Sequence, residues 1–185
     1  LILNTGAAVI ISLLLNEITN MAFKKSVQTI IYLPHFMSWV VVAAVFKMIL
    51  SVNSSGVVNG ALINMGLIDN PIDFLGSSKY WTGTFFMMNV WKDTGWGTIL
   101  FLATLSGISP DLYEAAQIDG ANRFKRLIYI TLPALANTII TVFILNLAKV
   151  MNLFESVFVT QSAGTYDVSQ VLQTYVYNKT FSASF

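Results

Sequence analysis

At residues 39–46 the chain reads Trp39-Val40-Val41-Val42-Ala43-Ala44-Val45-Phe46, a run without any charged side chain. A second region, 134–159, is also predominantly apolar. A membrane-spanning helix needs about 20 mainly apolar residues, because the bilayer core is roughly 30 Å thick and a helix rises about 1.5 Å per residue. The runs therefore predict an all-α protein, a polytopic helical bundle in a membrane.

The composition of the whole chain supports this fold class. Of its 185 residues, 55% are hydrophobic and 10% are charged, whereas soluble domains carry about 25% charged residues. The net charge of +1 argues against binding to nucleic acid, which requires a basic surface. The chain contains no Cys and a single His, which excludes disulfides, thiolate zinc sites and a multi-histidine metal site within it. We expect neither a metal nor a cofactor in this chain.

Four spans are predicted within a single transmembrane domain. Two connections, 16–33 and 110–133, hold clusters of Lys and Arg, and such clusters mark the cytoplasmic side. The segments 53–79 and 160–185 then lie outside. Because the chain opens inside an apolar run, we expect a fragment of a longer protein, lacking an N-terminal span and a last span. The predicted spans are about 1–15, 35–52, 80–108 and 134–159.

The cytoplasmic connection 110–133 has the pattern of two helices separated by a turn. Ser109 can cap a helix that begins with Pro110 and Asp111, because an acidic residue in the first turn is favoured by the helix dipole. Gly120 can end that helix in the left-handed conformation. This pattern predicts a defined helical element, not a flexible connector.

One face of the first helix in this connection carries Leu112, Ala115 and Ala116, which are spaced so that they lie side by side. The two small alanines would allow another backbone to approach closely. The pattern indicates either a docking surface for a partner protein or an amphipathic helix that rests on lipid headgroups.

A fixed set of residues in this connection consists of Glu114-Ala115-Ala116, Asp119-Gly120-Ala121, Ile130, Leu132 and Pro133. In these residues the connection resembles the EAA loop of permease subunits of bacterial ABC importers. Its Asp-Gly-Ala version is similar to the carbohydrate-uptake branch of those importers. A further stretch, His35-Phe36-Met37-Ser38-Trp39-Val40-Val41, is similar to a subgroup associated with complex oligosaccharides or polysaccharide breakdown products.

This resemblance implies a permease subunit of an ATP-driven, binding-protein-dependent importer of sugars or oligosaccharides, embedded as a multi-pass protein in the bacterial cell membrane. The implied partners are ABC ATPase subunits, a second permease subunit, an extracellular solute-binding protein, the sugar and the lipid bilayer, with no nucleic acid. The chain lacks a G-x-x-x-x-G-K-[ST] phosphate loop. It is therefore not expected to be an enzyme, and ATP and Mg²⁺ would be bound by the partner ATPase.

By the same resemblance, the helix from Pro110 to Ile118 is the coupling helix. It would sit in a groove of the ATPase subunit and transmit ATPase movement, so that the membrane path alternates between inward-open and outward-open states. The residues assigned to ATPase coupling are Glu114, Ala115, Ala116, Asp119, Gly120 and Arg123.

A second predicted site is a polar stripe in the third and fourth spans. A charge at the centre of a spanning helix costs about 2.5–3.5 kcal/mol, so Lys92 and Asp93 are not expected to face lipid. Polar planar groups and an aromatic ring on one helical face suit a sugar, and the stripe therefore predicts the substrate path. The alternative is a structural ion pair, such as Asp93 with Lys149. The candidate path residues are Asn89, Lys92, Asp93, Trp96, Asn146, Lys149 and Asn152.

Other functions remain as alternatives. An ABC importer permease for another small solute would differ only in cargo, and the Asp119-Gly120-Ala121 sequence argues against it. An ion-coupled carrier could use charged residues in the spans, among them Lys149 and Glu155. An intramembrane enzyme would need paired catalytic groups at depth, and the predicted spans hold no second Asp beside Asp93.

Overall fold

The computed structural model describes residues 1–53 and 56–181, and every regular element in this part of the chain is a helix. The predicted all-α fold class is therefore confirmed. Short 3₁₀ turns at Leu33–Phe36 and Ala163–Thr165 and a π-helical turn at Leu127–Thr131 connect some of the helices. The α-helices are α1 (Ile2–Glu17), α2 (Met21–Tyr32), α3 (Trp39–Ile49), α4 (Val57–Asn64), α5 (Ser78–Ser106), α6 (Pro110–Ile118), α7 (Arg123–Arg126), α8 (Leu132–Val150), α9 (Phe154–Thr160), α10 (Tyr166–Ser169) and α11 (Leu172–Phe181).

The helix bounds match two of the predicted spans and differ at the other two. Helices α1 and α5 occupy the predicted spans 1–15 and 80–108. The predicted span 35–52 is α-helical only as α3, which starts four residues late because Ser38 caps it. The hydroxyl of Ser38 accepts a hydrogen bond from the Val41 N–H at 3.4 Å, while the preceding turn is a separate 3₁₀ helix.

The predicted span 134–159 is not one continuous helix. Helix α8 ends at Val150 and α9 begins at Phe154. The side-chain oxygen of Gln173 accepts a hydrogen bond from the Phe154 N–H at 2.8 Å, and it thereby replaces a bond that a continuous helix would have made. The interruption at 151–153 is a correction to the sequence-based expectation.

The segment 53–79 contains a helix, α4, that the sequence did not lead us to expect. Asn59 in α4 is 1% exposed. Its amide nitrogen donates to the carbonyls of Ser51 and Ile72, each at 3.0 Å, and its oxygen accepts from the Ile72 N–H at 2.8 Å. Asn59 therefore ties the residues that precede α4 to those that follow it. Positions 54–55 of this segment, and positions 182–185 of the segment 160–185, lie outside the described residues.

Within residues 1–53 and 56–181, one helical stretch is both long enough and apolar enough to cross a membrane, namely Arg123–Val150. A second candidate arises only if Met21–Phe36 and Trp39–Ile49 together form one interrupted span. The membrane crossings and the division of the chain into spans and loops stay predictions.

The chain divides into two compact units. The first unit comprises 1–35 and 92–147, and its buried core is built from Ala8, Phe101, Leu105, Leu135 and Val142. All the candidate coupling residues belong to it.

The second unit comprises the described parts of 36–91 and 148–185. Its buried core contains Trp81, Phe85 and Val157. The indole N–H of Trp81 donates to the carbonyl of Thr160 at 3.1 Å, and this bond joins α5 to the end of α9.

Candidate functional site

Helix α6 is built as its sequence predicts. The hydroxyl of Ser109 accepts from the Asp111 N–H at 3.3 Å, with Pro110 in the first turn. Gly120 adopts a left-handed conformation, with φ 76°. Beyond it the Ala121 N–H donates to the Ala116 carbonyl at 2.8 Å, which is the bond that closes a Schellman turn. The predicted helix at 110–118 and its glycine terminator are confirmed.

The outward surface of α6 differs from the predicted stripe. No residue of α6 is buried, and Leu112 and Ile118 are 54% and 88% exposed. Glu114 and Ala115 are also exposed, whereas Ala116 is half-buried. The exposed apolar surface is therefore formed by Leu112, Ala115 and Ile118. The sequence did not predict Ile118 as part of this surface, because it lies at the end of the helix and outside the i, i+3, i+4 spacing of Leu112, Ala115 and Ala116.

The inward side of α6 is attached to the segment that follows it. The hydroxyls of Tyr113 and Thr131 lie 3.0 Å apart, within hydrogen-bonding distance. This contact joins α6 to the π-helical turn. Tyr113 therefore connects α6 to the long helical stretch Arg123–Val150.

Arg123, a candidate coupling residue, contacts the end of α1. Its guanidinium lies 3.9 Å from the carboxylate of Glu17, and the two side chains are 88% and 70% exposed. Such an exposed ion pair contributes about 0–1 kcal/mol, so it leaves Arg123 available to a partner. Asp119 and Gly120 are exposed beside it.

Three of the candidate path residues meet at one histidine in the first unit. The ammonium of Lys92, which is 6% exposed, donates to the His35 carbonyl at 2.8 Å. A carboxylate oxygen of Asp93 lies 3.3 Å from His35 Nδ1. The ring of Trp96 stacks on the imidazole, with centroids 5.1 Å apart and planes 14° apart. We call Lys92, Asp93, Trp96 and His35 the polar cluster.

His35 was absent from the candidate residues, although it is the centre of this polar cluster. It is the single His of the sequence and follows Pro34 in an apolar region, which is the signal that could have identified it. The contacts also indicate different roles within the cluster. Lys92 is buried and donates one hydrogen bond to a backbone carbonyl, whereas Trp96 remains 45% exposed and can meet a ligand.

The other candidate path residues make separate contacts within their own units. In the second unit, Asn89 donates to a carbonyl one turn earlier in α5 at 2.8 Å, and Asn152 accepts from a glutamine of α11 at 3.0 Å. Lys149 is exposed. In the first unit, Asn146 lies 3.5 Å from the hydroxyl of Thr5. Their roles in transport stay predictions.

Comparison with known proteins identifies the family. Residues 4–184 match the family described as "Binding-protein-dependent transport system inner membrane component". The chain belongs to this family. The resemblance to ABC importer permeases that the loop 110–133 suggested is therefore confirmed.

Proteins similar to the chain include two from Bacillus subtilis (strain 168). Protein LplB is 41% identical over 92% of the chain and 53% of its own length. The polygalacturonan/rhamnogalacturonan transport system permease protein YteP is 38% identical over 91% of the chain and 52% of its own length. The chain thus spans about half the length of these curated relatives.

A solved structure has the same fold as this chain. It is the crystal structure of a bacterial ABC transporter involved in the import of the acidic polysaccharide alginate. The match has a TM-score of 0.89 and 35% identity, and it covers 96% of this chain and 62% of that one.

Proposed function

We propose that this chain forms part of the transmembrane permease of a bacterial ABC importer for oligosaccharides, as a multi-pass protein of the cell membrane. The observation that carries the proposal is the match of residues 4–184 to inner membrane components of binding-protein-dependent transport systems. A binding-protein-dependent system accounts for this match better than an ion-coupled carrier does.

The proposed cargo is an oligosaccharide released from a larger polysaccharide. Two of the similar proteins support this class, because their names specify polygalacturonan or rhamnogalacturonan and alginate. An extracellular binding protein would deliver the sugar, and a second permease subunit would complete the path. Another small solute remains the alternative cargo.

The proposed coupling step uses the exposed surface of α6. Leu112, Ala115 and Ile118 would enter an apolar groove on the ATPase subunit, and Glu114 would meet polar or basic groups at its rim. ATP and Mg²⁺ would be bound by the ATPase, which supplies the driving force. Movement of α6 would then pass through the Tyr113–Thr131 contact into the helix Arg123–Val150, and so bias the permease between its two open states.

A crosslinking experiment tests this coupling step. Ala115→Cys would introduce the only thiol of the chain, because the sequence has no Cys. We expect it to crosslink to a cysteine placed in the groove of the ATPase that co-purifies with the chain. The matched control is Ala61→Cys, since Ala61 is also exposed but lies in α4, in the predicted outer segment. Crosslinking at neither position, or at both, would contradict the proposed docking surface.

The polar cluster supplies the proposed contact with the sugar. One face of the Trp96 ring is stacked on His35, and the rest of this partly exposed side chain can stack on a pyranose ring. The Asp93 carboxylate lies beside it and can accept hydrogen bonds from sugar hydroxyls. The cluster thus offers both an aromatic face and a polar group within the first unit.

We expect Trp96→Ala to lower oligosaccharide uptake several-fold for each assembled complex, because it removes the exposed ring. Trp91→Ala is the matched control, since Trp91 lies in the same helix, is 41% exposed and contacts Phe46 edge-on. Uptake of a labelled oligosaccharide is measured in vesicles and divided by the amount of complex. If both variants keep normal uptake for each complex and only the amount of complex falls, the cluster is structural.

A further inference from the structure

A cavity of about 630 Å³ lies in the first unit, behind the coupling helix. Its walls come from the end of α1, from Tyr113 of α6, and from α7 with the π-helical turn. One part of the lining is apolar and the other part is polar and charged. The polar part includes the side chains of Glu17, Arg123 and Arg126.

The charge in this cavity is not balanced. Arg123 is paired with Glu17, but Arg126 forms no ion pair with any residue in the ranges 1–53 and 56–181. Arg126 is half-buried, and its Nε is buried without a hydrogen-bond partner among those residues. A partly desolvated guanidinium without a counter-charge is unfavourable. Arginine also binds phosphate strongly through its planar set of donors. The cavity therefore favours an anionic ligand, and a phosphate group fits its chemistry.

The apolar part of the lining opens onto an apolar surface. Ile10 and Leu14 of α1 and Phe124 of α7 line the cavity and are 59%, 64% and 67% exposed. A ligand that filled the cavity would therefore place hydrocarbon against α1 and its anionic group against Arg126. A free inorganic phosphate would contact only Arg126, whereas a phospholipid would contact both Arg126 and the apolar surface of α1.

The position along the chain fits the same ligand. The apolar run of α1 ends at Asn16 and Glu17, where the predicted cytoplasmic connection begins. Under the proposed membrane topology this is the depth of the headgroups of the cytoplasmic leaflet, where basic pockets recognise anionic lipids.

We propose that this cavity binds an anionic phospholipid of the cytoplasmic leaflet, with its phosphate on Arg126 and an acyl chain along Ile10 and Leu14. The inference rests on the proposed permease function for its orientation in the membrane. Tyr113 of the coupling helix lines the same cavity and contacts Thr131. The bound lipid therefore supports α6 from its inward side, and anionic lipid raises ATP-coupled uptake.

Lipid retention by the purified complex tests this site. The complex of the chain with its partner subunits is purified and incubated with phosphatidylglycerol or phosphatidylcholine. Native mass spectrometry then measures the amount of lipid that stays bound. Arg126→Gln is expected to weaken phosphatidylglycerol retention about tenfold, because a charge-assisted hydrogen bond is lost. Lys125→Gln is the matched control, since it removes the same charge from α7 at an exposed residue outside the cavity lining. It is expected to retain phosphatidylglycerol as the unmodified complex does.

Three results would overturn the inference. The first is equal retention of phosphatidylglycerol by Arg126→Gln and the unmodified complex, and the second is its displacement by inorganic phosphate alone. The third is crosslinking of Leu14→Cys to another polypeptide of the complex instead of a photoactivatable lipid.

The test also separates this inference from the proposed function. A complex that transports the oligosaccharide without retaining anionic lipid contradicts only the lipid site. A chain that retains the lipid but never assembles with an ATPase contradicts the proposed function.

Discussion

Gly120→Val is expected to abolish ATP-coupled uptake while the amount of chain inserted in the membrane stays unchanged. Gly120 has φ 76°, and a side chain in such a conformation costs about 1–3 kcal/mol. The turn would relax by redirecting α6, whose exposed surface would then miss the ATPase groove. The measurement is oligosaccharide uptake and ATP hydrolysis for each assembled complex, and uptake is expected to disappear while some hydrolysis persists.

The chain contains a matched control for the backbone strain. Gly66 ends α4 in the same way, with φ 70° and with a Leu67 N–H that donates to the Leu62 carbonyl at 3.0 Å. Gly66→Val therefore introduces the same strain in the predicted outer segment. If both variants lose uptake only in proportion to a lower amount of complex, strain alone explains the result and the coupling role of Gly120 is contradicted.

Asn59→Asp is expected to destabilise the second unit severely. The Asn59 amide donates to two carbonyls at 3.0 Å and sits in a buried site. A carboxylate has the same shape but no donor, so it would place a negative charge against those carbonyl oxygens. Each buried polar group left without a partner costs about 1–3 kcal/mol, and several groups are affected at once. The measurement is the midpoint of thermal unfolding in detergent, together with the amount of chain recovered from membranes.

Asn64→Asp provides the comparison for this substitution. Asn64 also lies in α4, but it is exposed, so its carboxylate would be solvated. We expect unchanged thermal stability and recovery for Asn64→Asp. Equal stability of the two variants would show that the Asn59 hydrogen bonds contribute little to this segment.

Local signals predicted helix α6 well, because its limits depend on neighbouring residues. Ser109 caps α6 and Gly120 ends it, and both are readable from the sequence within a dozen positions. Ser38 is a capping signal of the same kind, and it marks the start of α3 in the sequence.

Contacts between distant positions explain what the sequence did not predict. The interruption after α8 depends on Gln173, which reaches back to Phe154. The polar cluster depends on His35, which meets Lys92 and Asp93 across more than fifty positions of the chain. The hydropathy pattern of a single span carries no information on such partners. The helical spacing predicted the stripe in α5, and the single His was visible in the sequence, but the contact between the two was not predictable from spacing.

The π-helical turn at Leu127–Thr131 makes the direction of α6 depend on the number of residues between Gly120 and Pro133. The Leu132 N–H bonds to the carbonyl of Leu127, five residues back, so this turn holds one residue more than an α-helical turn. Removing any one residue of this turn would restore α-helical geometry. The preceding part of the chain, which includes α6, would then rotate by about 100° around the axis of α8. Point substitutions here leave the direction of α6 intact, whereas a single-codon deletion would swing its exposed surface to another side. Selection would therefore hold the number of residues between Gly120 and Pro133 fixed.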